Sequence, residues 1–553
     1  MIVTLKVLAV SAEAYPLAKT GGLGDAVSGM LYALAEDGVD VRLLLPAYRG
    51  VVEQLERVHE VAQLCGLPGG DAVLLSGDCP ELGIPVLALV NDALYDRDML
   101  YVGPDGEGFD DNDLRYAALS CAAARLARGI ASVPRPHVVH AHDWHAALTP
   151  LFMRQLRVDD VRSVLTLHNL AFQGDFSVDR ASRIGINEDS LLQEACLDHN
   201  GRINFLKAGI RCSDLITVVS HQYAREILTP DFGCGLQEDL LHRRSQTIAI
   251  PNGIDMALWN PQADRYLKNR PFSIRHMENK SFCKAELQRV FDVDEDSSRI
   301  VLIMGSRLTT QKMADVALHA LPMALDAHPR LQVCLMGQGD KAIERALQEM
   351  AERYPGRCGV RIGFNEQRAH LLHAGGDILL HGSRFEPFGL TPLYSMRYGT
   401  IPIGSRVGGM VDTIRDPGPE CAVPSMQAAT GVLFSGDRPD DMMSAISRAV
   451  GLYDRPAIWR AMQANGMRLD FSWSRVAPAY LSAYQSLRPD VALDRIPERR
   501  RGIFSARNWQ LGKASSSLVA VPSSQSGAAA LASRRISHGI RSDSIADRGP
   551  SVA

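Results

Sequence analysis

Short apolar runs recur along this chain, each followed by a longer stretch whose apolar residues return every three or four positions. The runs Val3–Val10, Asp40–Leu45, Val86–Val90, His137–Ala141, Ser163–Leu167, Leu215–Val219 and Thr247–Ile250 predict strands, and amphipathic segments such as Ala26–Asp37 and Asp113–Gly129 predict helices between them. The rhythm restarts at Ile300–Gly305 and continues through Gln332–Met336, Val360–Gly363, Ile378–His381 and Ile401–Ser405. Alternation of β and α over this length implies an α/β fold with parallel sheets covered by helices on both faces. The restart divides the chain into two doubly wound, Rossmann-like domains, 1–258 and 259–488. The join at Trp259–Ser298 is punctuated by Asn260-Pro261 and Pro271.

From about Pro489 the periodicity ends. Arg499-Arg500-Arg501, Ser515–Ser517 and Ala528–Ala530 mark a basic, Ser/Ala-rich tail, 489–553, whose composition predicts disorder. The acidic string Asp292–Asp296 lacks the turn glycine and spaced oxygens of a metal loop and reads as a solvated turn.

Composition narrows the function classes. At 553 residues the chain exceeds one hydrophobic core. A net charge of −4 exerts no pull toward nucleic acid or anionic membrane. The ten cysteines include no C-x-x-C pair and read as buried thiols of a reducing compartment. Met1–Ala14 resembles a secretory leader only superficially: Lys6 interrupts the apolar run, Glu13 follows it, and a buried first strand accounts for the pattern. No stretch approaches the ~20 apolar residues of a membrane span, and a cytoplasmic protein is expected.

Three clusters carry chemistry. After the first strand, Glu13 precedes Lys19-Thr20-Gly21-Gly22-Leu23-Gly24-Asp25 and a helix. Glycines at a strand-to-helix turn let amides approach an anion, and a lysine adds mobile positive charge. The loop is neither a Walker A sequence nor a full G-x-G-x-x-G, and a glycine-rich turn by itself is as often structural. In the second domain, Ile300–Gly305 runs into Ser306-Arg307-Leu308-Thr309-Thr310-Gln311-Lys312, placing two cations at a strand's carboxyl end, where open α/β sheets bind ligands. The pair suits a diphosphate without a metal, against the alternative of a solvated basic loop. Third, Ser383-Arg384-Phe385-Glu386-Pro387-Phe388-Gly389-Leu390-Thr391-Pro392 sets a carboxylate between a strand and a helix start, able to hold sugar hydroxyls beside amides facing a phosphate.

Together these motifs resemble those of bacterial glycogen synthases and plant starch synthases (glycosyltransferase family 5). His140-Ala141-His142-Asp143-Trp144-His145, His168–Gly174, Asn204–Gly209 and Pro251–Asp255 support the resemblance, which is collinear from Val7 to about Leu487. It implies a GT-B fold, with the donor bound between two Rossmann-like domains and the final helix, Ser474–Leu487, crossing back onto the first. It further implies retaining transfer of glucose from ADP-glucose, or sometimes UDP-glucose, to the non-reducing end of a glycogen-type α-1,4-glucan primer.

By that resemblance Glu386 and His168 flank the donor glucose. Arg307 and Lys312, with Lys19, Gly21, Gly22, Asp25, Thr391 and Asn252, hold the nucleotide diphosphate. Glu13, Tyr95, Asp143 and His145 line the sugar-binding cleft, although Tyr95 fits a packing position equally well. The charge argument concurs: cations stabilise the departing diphosphate, and no covalent nucleophile is assigned. No cofactor or metal is expected. The ligand-rich H-x-H-D-x-x-H string would hold zinc only if its three histidines met in one site, and His145 falls on the next helix. The sequence departs from the family at Met313, where glycine is usual, at Phe388, where cysteine is common, and at Gly24, where alanine is frequent. Rival readings are a GT-B transferase with a small acceptor and a non-catalytic glucan-binding protein. Retention of Lys19, Arg307, Lys312 and Glu386 argues against the latter. A dinucleotide oxidoreductase lacks its fingerprint.

Overall fold

The computed structural model describes residues 4–103, 106–186, 192–198, 200–267, 270–418 and 426–491. The tail expected at 489–553 therefore lies almost wholly outside the described residues.

The first half forms β1 (Lys6–Val10), β2 (Asp40–Pro46), β3 (Glu56–Leu67), β4 (Gly70–Cys79), β5 (Ile84–Val90), β6 (Val138–His142), β7 (Arg162–Leu167), a small ribbon of β8 (Asp175–Phe176) and β9 (Ile203–Asn204), then β10 (Leu215–Val218) and β11 (Thr247–Ala249). Apart from the ribbon these strands build one sheet, ordered β11-β10-β7-β6-β1-β2-β5-β4-β3. It is parallel from β11 to β5, and the long hairpin β3–β4 extends it antiparallel at one edge. The apolar-run pattern does not disclose this hairpin, because β3 is solvent-exposed along most of its length and has no continuous apolar face.

The second half forms β12 (Ile300–Leu308), β13 (Leu331–Gly339), β14 (Cys358–Ile362), β15 (Ile378–His381), β16 (Ile401–Ser405) and β17 (Val432–Phe434), a parallel sheet ordered β14-β13-β12-β15-β16-β17. The order reverses beside β12, so its carboxyl end borders the switch-point crevice where such sheets bind ligands.

Seven helices matter below: α1 (Gly22–Glu36), α2 (Asn112–Arg128), α3 (Ala314–Ala327), α4 (Glu366–Gly375), α5 (Leu390–Arg397), α6 (Gly408–Thr413) and α7 (Trp473–Leu487). The last of these packs on α1. Gly29 is the residue that permits this, since a Cβ there would overlap the Trp473 indole. Further along α7, the Tyr484 hydroxyl meets His140 Nδ1 at 2.7 Å in the first domain's core. The chain thus closes back on its starting domain. In the acidic string, Asp292 pairs with Arg361, Glu295 meets Arg289 at 3.0 Å and Asp296 caps the Ser298 amide at 2.8 Å.

Candidate active site

On the first domain, β1 leads through Glu13 to the glycine-rich stretch that opens α1 at Gly22. Glu13 is buried, and its carboxylate accepts from the Thr20 amide and hydroxyl at 2.7 Å each, the Gly21 amide at 3.2 Å and the Tyr101 hydroxyl at 2.7 Å. Two donors on each oxygen saturate the carboxylate. The sequence expectation is corrected here: Glu13 braces the loop instead of offering its oxygens to sugar, and the Gly21 amide serves that brace instead of an anion. The N-terminus of α1 itself receives no side-chain cap, which leaves its first amides unsatisfied by side chains. Lys19 reaches Asp25 at 2.8 Å. Burial works against the Lys19 ammonium, but Asp25 and Glu366, the latter on the other domain, outweigh it and raise its pKa.

Behind this loop, Asp143 accepts from the His168 and Asn169 amides at 2.6 and 3.3 Å, fixing the turn after β7. Burial pushes its carboxyl up to about 7, while those amides pull the other way. Asp143 thereby shapes the loop that carries His168. The His168 ring sits 3.1 Å from His142 Nδ1, and burial lowers its pKa to about 3. It is neutral at any working pH and acts as a hydrogen-bonding group. His145 stacks on Tyr101 with ring centroids 4.6 Å apart, and burial keeps it neutral too. The His145 Nδ1 and Asn252 Oδ1 atoms are buried with no protein partner among the described residues.

Tyr95 is a second correction. It is 0% exposed, donates to the Arg115 carbonyl at 2.6 Å and packs edge-on against Tyr48. The tyrosine that reaches the site is Tyr101, which the chain's periodicity does not single out. The H-x-H-D-x-x-H string is also resolved. His140 lies between Tyr484 and Thr166, at 2.7 and 2.6 Å, while His142 faces His168. Among the described residues no three His, Cys, Asp or Glu side chains are grouped to hold a metal ion.

On the second domain Arg307 lies within β12, whose last residue is Leu308. It donates to Gln311 Oε1 at 3.2 Å and pairs with no carboxylate among the described residues. Burial lowers its pKa, with Glu386 and Glu13 acting in the opposite sense, so both domains' acids reach it electrostatically.

Lys312 contacts Glu386 Oε2. The same oxygen accepts from His381 Nε2 at 3.0 Å and Ser383 Oγ at 3.1 Å. Glu386 Oε1 has no protein partner among the described residues. Burial would raise the Glu386 carboxyl, but Lys312 and His381 hold it well below the usual carboxylate range. It is an anion with one oxygen open. Thr391 stands in the first turn of α5, the helix start that follows Glu386.

Met313, in place of the family's usual glycine, adopts a left-handed φ of +52° at the start of α3. That conformation costs an ordinary residue about 1–2 kcal/mol, which explains a glycine preference at this position. Its side chain is fully buried, and Ser405 Oγ lies 3.5 Å from its sulfur. Phe388 is likewise buried beneath the Glu386 segment.

The two halves meet. A Cβ on Gly22 would stand 3.3 Å from Leu390 Cδ1, so the glycine loop abuts the start of α5. Ser220 Oγ donates to the Pro387 carbonyl at 2.7 Å, and the Gly408 amide donates to the Glu226 carboxylate at 3.0 Å. Gly408, at φ +46°, lies so close under the Glu386 carbonyl that any Cβ would overlap it. These contacts pin the Glu386 segment between the domains.

Two Rossmann-like domains, the glycine loop of one abutting the segment that carries Glu386, Lys312 and Arg307 on the other, define a glycosyltransferase of the GT-B class. The comparisons agree. Residues 6–242 match the family described as starch synthase catalytic domain, and residues 288–460 match glycosyl transferases group 1. A glycogen synthase of Bordetella petrii is 52% identical over 490 residues, covering 89% of this chain and 94% of the relative. One from Bordetella parapertussis is 54% identical over 498 residues, covering 89% and 98%. Among solved structures, the catalytic domain of starch synthase IV from Arabidopsis thaliana, bound to ADP and acarbose, superposes with a TM-score of 0.79 at 27% identity, covering 88% of this chain and 99% of that one. A sucrose-phosphate synthase from Thermosynechococcus elongatus, at TM-score 0.54 and 18% identity, shares the fold alone. The chain belongs to the glycogen synthase family and is a hexosyltransferase.

Proposed function

We propose that the protein transfers glucose from ADP-glucose to the non-reducing end of an α-1,4-glucan, with retention and without a metal. One observation carries this reading: the α1 N-terminus, beside Lys19, abuts the start of α5 at Leu390, just past Glu386, while Arg307 of the second domain lies within the electrostatic reach of Glu13 on the first. Breaking the sugar–phosphate bond builds negative charge on the diphosphate, which Arg307, Lys312, Lys19 and the first amides of α1 are placed to stabilise. Glu386 Oε1 accepts from a glucose hydroxyl, and its charge supports the developing positive anomeric carbon. His168, neutral and adjoining, orients the sugar. The acceptor attacks on the face the diphosphate leaves, so no enzyme nucleophile is required.

The nucleoside end falls near Phe364. At 62% exposed, just past β14 and two residues before Glu366, this ring offers a face on which a base can stack. Nine cysteines among the described residues are free thiols, which suits a cytoplasmic enzyme, and no described helix is long and apolar enough to cross a membrane. The partners in this reading are a nucleotide sugar and a glucan primer, with no nucleic acid or membrane.

Labelled glucose supplied as ADP-glucose or UDP-glucose, with and without glycogen primer, tests the proposal. Primer-dependent incorporation from ADP-glucose that EDTA leaves unchanged is expected. Incorporation into a small sugar alone, or loss on EDTA treatment reversed by a divalent ion, would overturn it. Phe364→Ala should raise the KM for ADP-glucose on the order of tenfold, the loss of one stacked base, with kcat retained.

A further inference from the structure

The join between the domains is anchored on a fully buried histidine. His370, on α4, has Nδ1 2.8 Å from Asp264, a hydrogen bond, while its buried Nε2 lies 3.5 Å from Glu366 and makes no hydrogen bond to the described residues. The Trp259 ring lies flat on its imidazole, with centroids 4.0 Å apart and planes 4° from parallel. The opposite face of Trp259 stacks on Tyr394 of α5 at 3.9 Å. The Tyr398 hydroxyl donates to the same Asp264 oxygen at 2.6 Å, and the Tyr266 ring closes the side at 4.7 Å. Trp259, Asp264 and Tyr266 all belong to the join, while His370, Glu366, Tyr394 and Tyr398 belong to the second domain.

Glu366 is the outward end of this cluster. It stands in the first turn of α4 and is the carboxylate whose field reaches Lys19, Asp25 and Tyr15 of the first domain. The arrangement therefore runs from the join, through the imidazole, to the side chain facing the donor-phosphate lysine.

We propose that His370 is a positioning residue for the donor cleft: clamped between Asp264 and Glu366 beneath Trp259, it fixes the join against α4 and holds Glu366 opposite Lys19. This inference rests on the reading of the Lys19 loop as donor-binding. Protonation adds an electrostatic attraction between Nε2 and Glu366, 3.5 Å away, to the hydrogen bond between Nδ1 and Asp264, so the clamp is strongest in the cationic form. A flat cation against an indole face adds to it. Burial opposes that charge, but Asp264 and Glu366 outweigh burial and raise the pKa.

The sign follows. The stabilisation from this clamp is fully present below the unfolded histidine value of about 6.5 and is lost as pH rises through the raised folded value. Donor affinity should fall over the same interval.

Other titratable groups surround the site. Besides Asp264, Glu366, Tyr266, Tyr394 and Tyr398, the join brings Arg265 and α4 itself brings His373, which burial lowers to about 3. The adjoining helix Asn279–Val290 brings Cys283, raised by burial, and Lys280, which burial pushes down to about 8. All of these survive in a His370→Gln variant, which keeps a donor for Asp264 but does not titrate. The difference between wild type and variant isolates His370.

The test measures donor KM and kcat from about pH 6 to about pH 9 for wild type, His370→Gln, Asp264→Asn and Lys19→Ala. Wild-type donor KM should rise severalfold across the range with kcat nearly constant. In His370→Gln that rise should disappear, with KM already elevated at the acid end. In Asp264→Asn, which removes the main cause of the raised pKa, the rise should move to lower pH. A pH profile of KM in His370→Gln that parallels wild type overturns the inference, as does a loss confined to kcat. If His370→Gln does not fold, an unmoved profile in Asp264→Asn overturns it. Lys19→Ala separates the two readings: unchanged donor KM there refutes the donor-loop assignment itself. Raised KM there, with His370→Gln like wild type, refutes only the positioning role.

Discussion

Replacing Glu386 by alanine should reduce kcat on the order of a thousandfold, with glutamine on the order of a hundredfold, at nearly unchanged donor KM. The difference between the two separates what the carboxylate does. Glutamine retains an oxygen for a sugar hydroxyl but removes the negative charge near the anomeric carbon, while alanine removes both. Either change also leaves Lys312 without the anion it contacts, and alanine further deprives His381 and Ser383 of their acceptor. An uncompensated buried cation is costly, so the alanine variant should also lose thermal stability, by about 3–5 kcal/mol in chemical denaturation. Because Lys312 and His381 depress the Glu386 pKa against the effect of burial, the folded carboxyl stays ionised well below the unfolded value. Its contribution to stability is present above about pH 4.5 and is lost only as pH falls through the depressed value. Activity should therefore show no acid limb from Glu386 near neutrality. A Glu386→Gln enzyme with wild-type kcat would remove this residue from the reaction.

Arg307→Ala and Lys312→Ala should each lower kcat about a hundredfold, the loss of roughly 3 kcal/mol of leaving-group stabilisation. The two are not equivalent. Arg307 has no carboxylate partner among the described residues and stands ready for a phosphate, whereas Lys312 is engaged with Glu386. Donor binding must share or draw away the Lys312 ammonium. Double variants read this out: Lys312→Ala with Glu386→Ala should cost much less than the sum of the single losses, because the residues form one unit. Arg307→Ala with Glu386→Ala should lie closer to additive. Arg307→Lys should recover only part of the rate, since a point charge replaces a planar fork that meets two phosphate oxygens together. Full additivity of the Lys312 and Glu386 losses would contradict the shared geometry. Single-turnover rates with saturating donor and glucan provide the measurement.

Much of the fold was legible because its signals are local. Apolar runs separated by amphipathic stretches need no tertiary information, and the strands read in both halves occupy the parallel parts of the two sheets. The β3–β4 hairpin was not legible, since an exposed edge strand has no apolar face to announce it. The catalytic loops were legible for the same local reason: cations and glycines directly after strands place themselves at the carboxyl ends of parallel sheets. Tyr101 and His370 were not. Their partners Glu13 and Asp264 lie 88 and 106 residues away, and no spacing rule connects such positions.

By itself, then, the amino-acid order determined two α/β domains and the placement of Lys19, Arg307, Lys312 and Glu386 at strand ends, because backbone periodicity and turn chemistry act within a few residues. Only the tertiary structure decided which polar atoms remain open. Glu13 looks like a substrate carboxylate in sequence but both its oxygens are filled by neighbouring donors, Asp143 spends Oδ1 on two loop amides, and Tyr95 is sealed in the core. Glu386 Oε1 and the Arg307 guanidinium, without a carboxylate partner among the described residues, are left for the substrate. A carboxylate has few acceptor sites, and whether they are filled depends on which distant donors folding brings within about 3 Å.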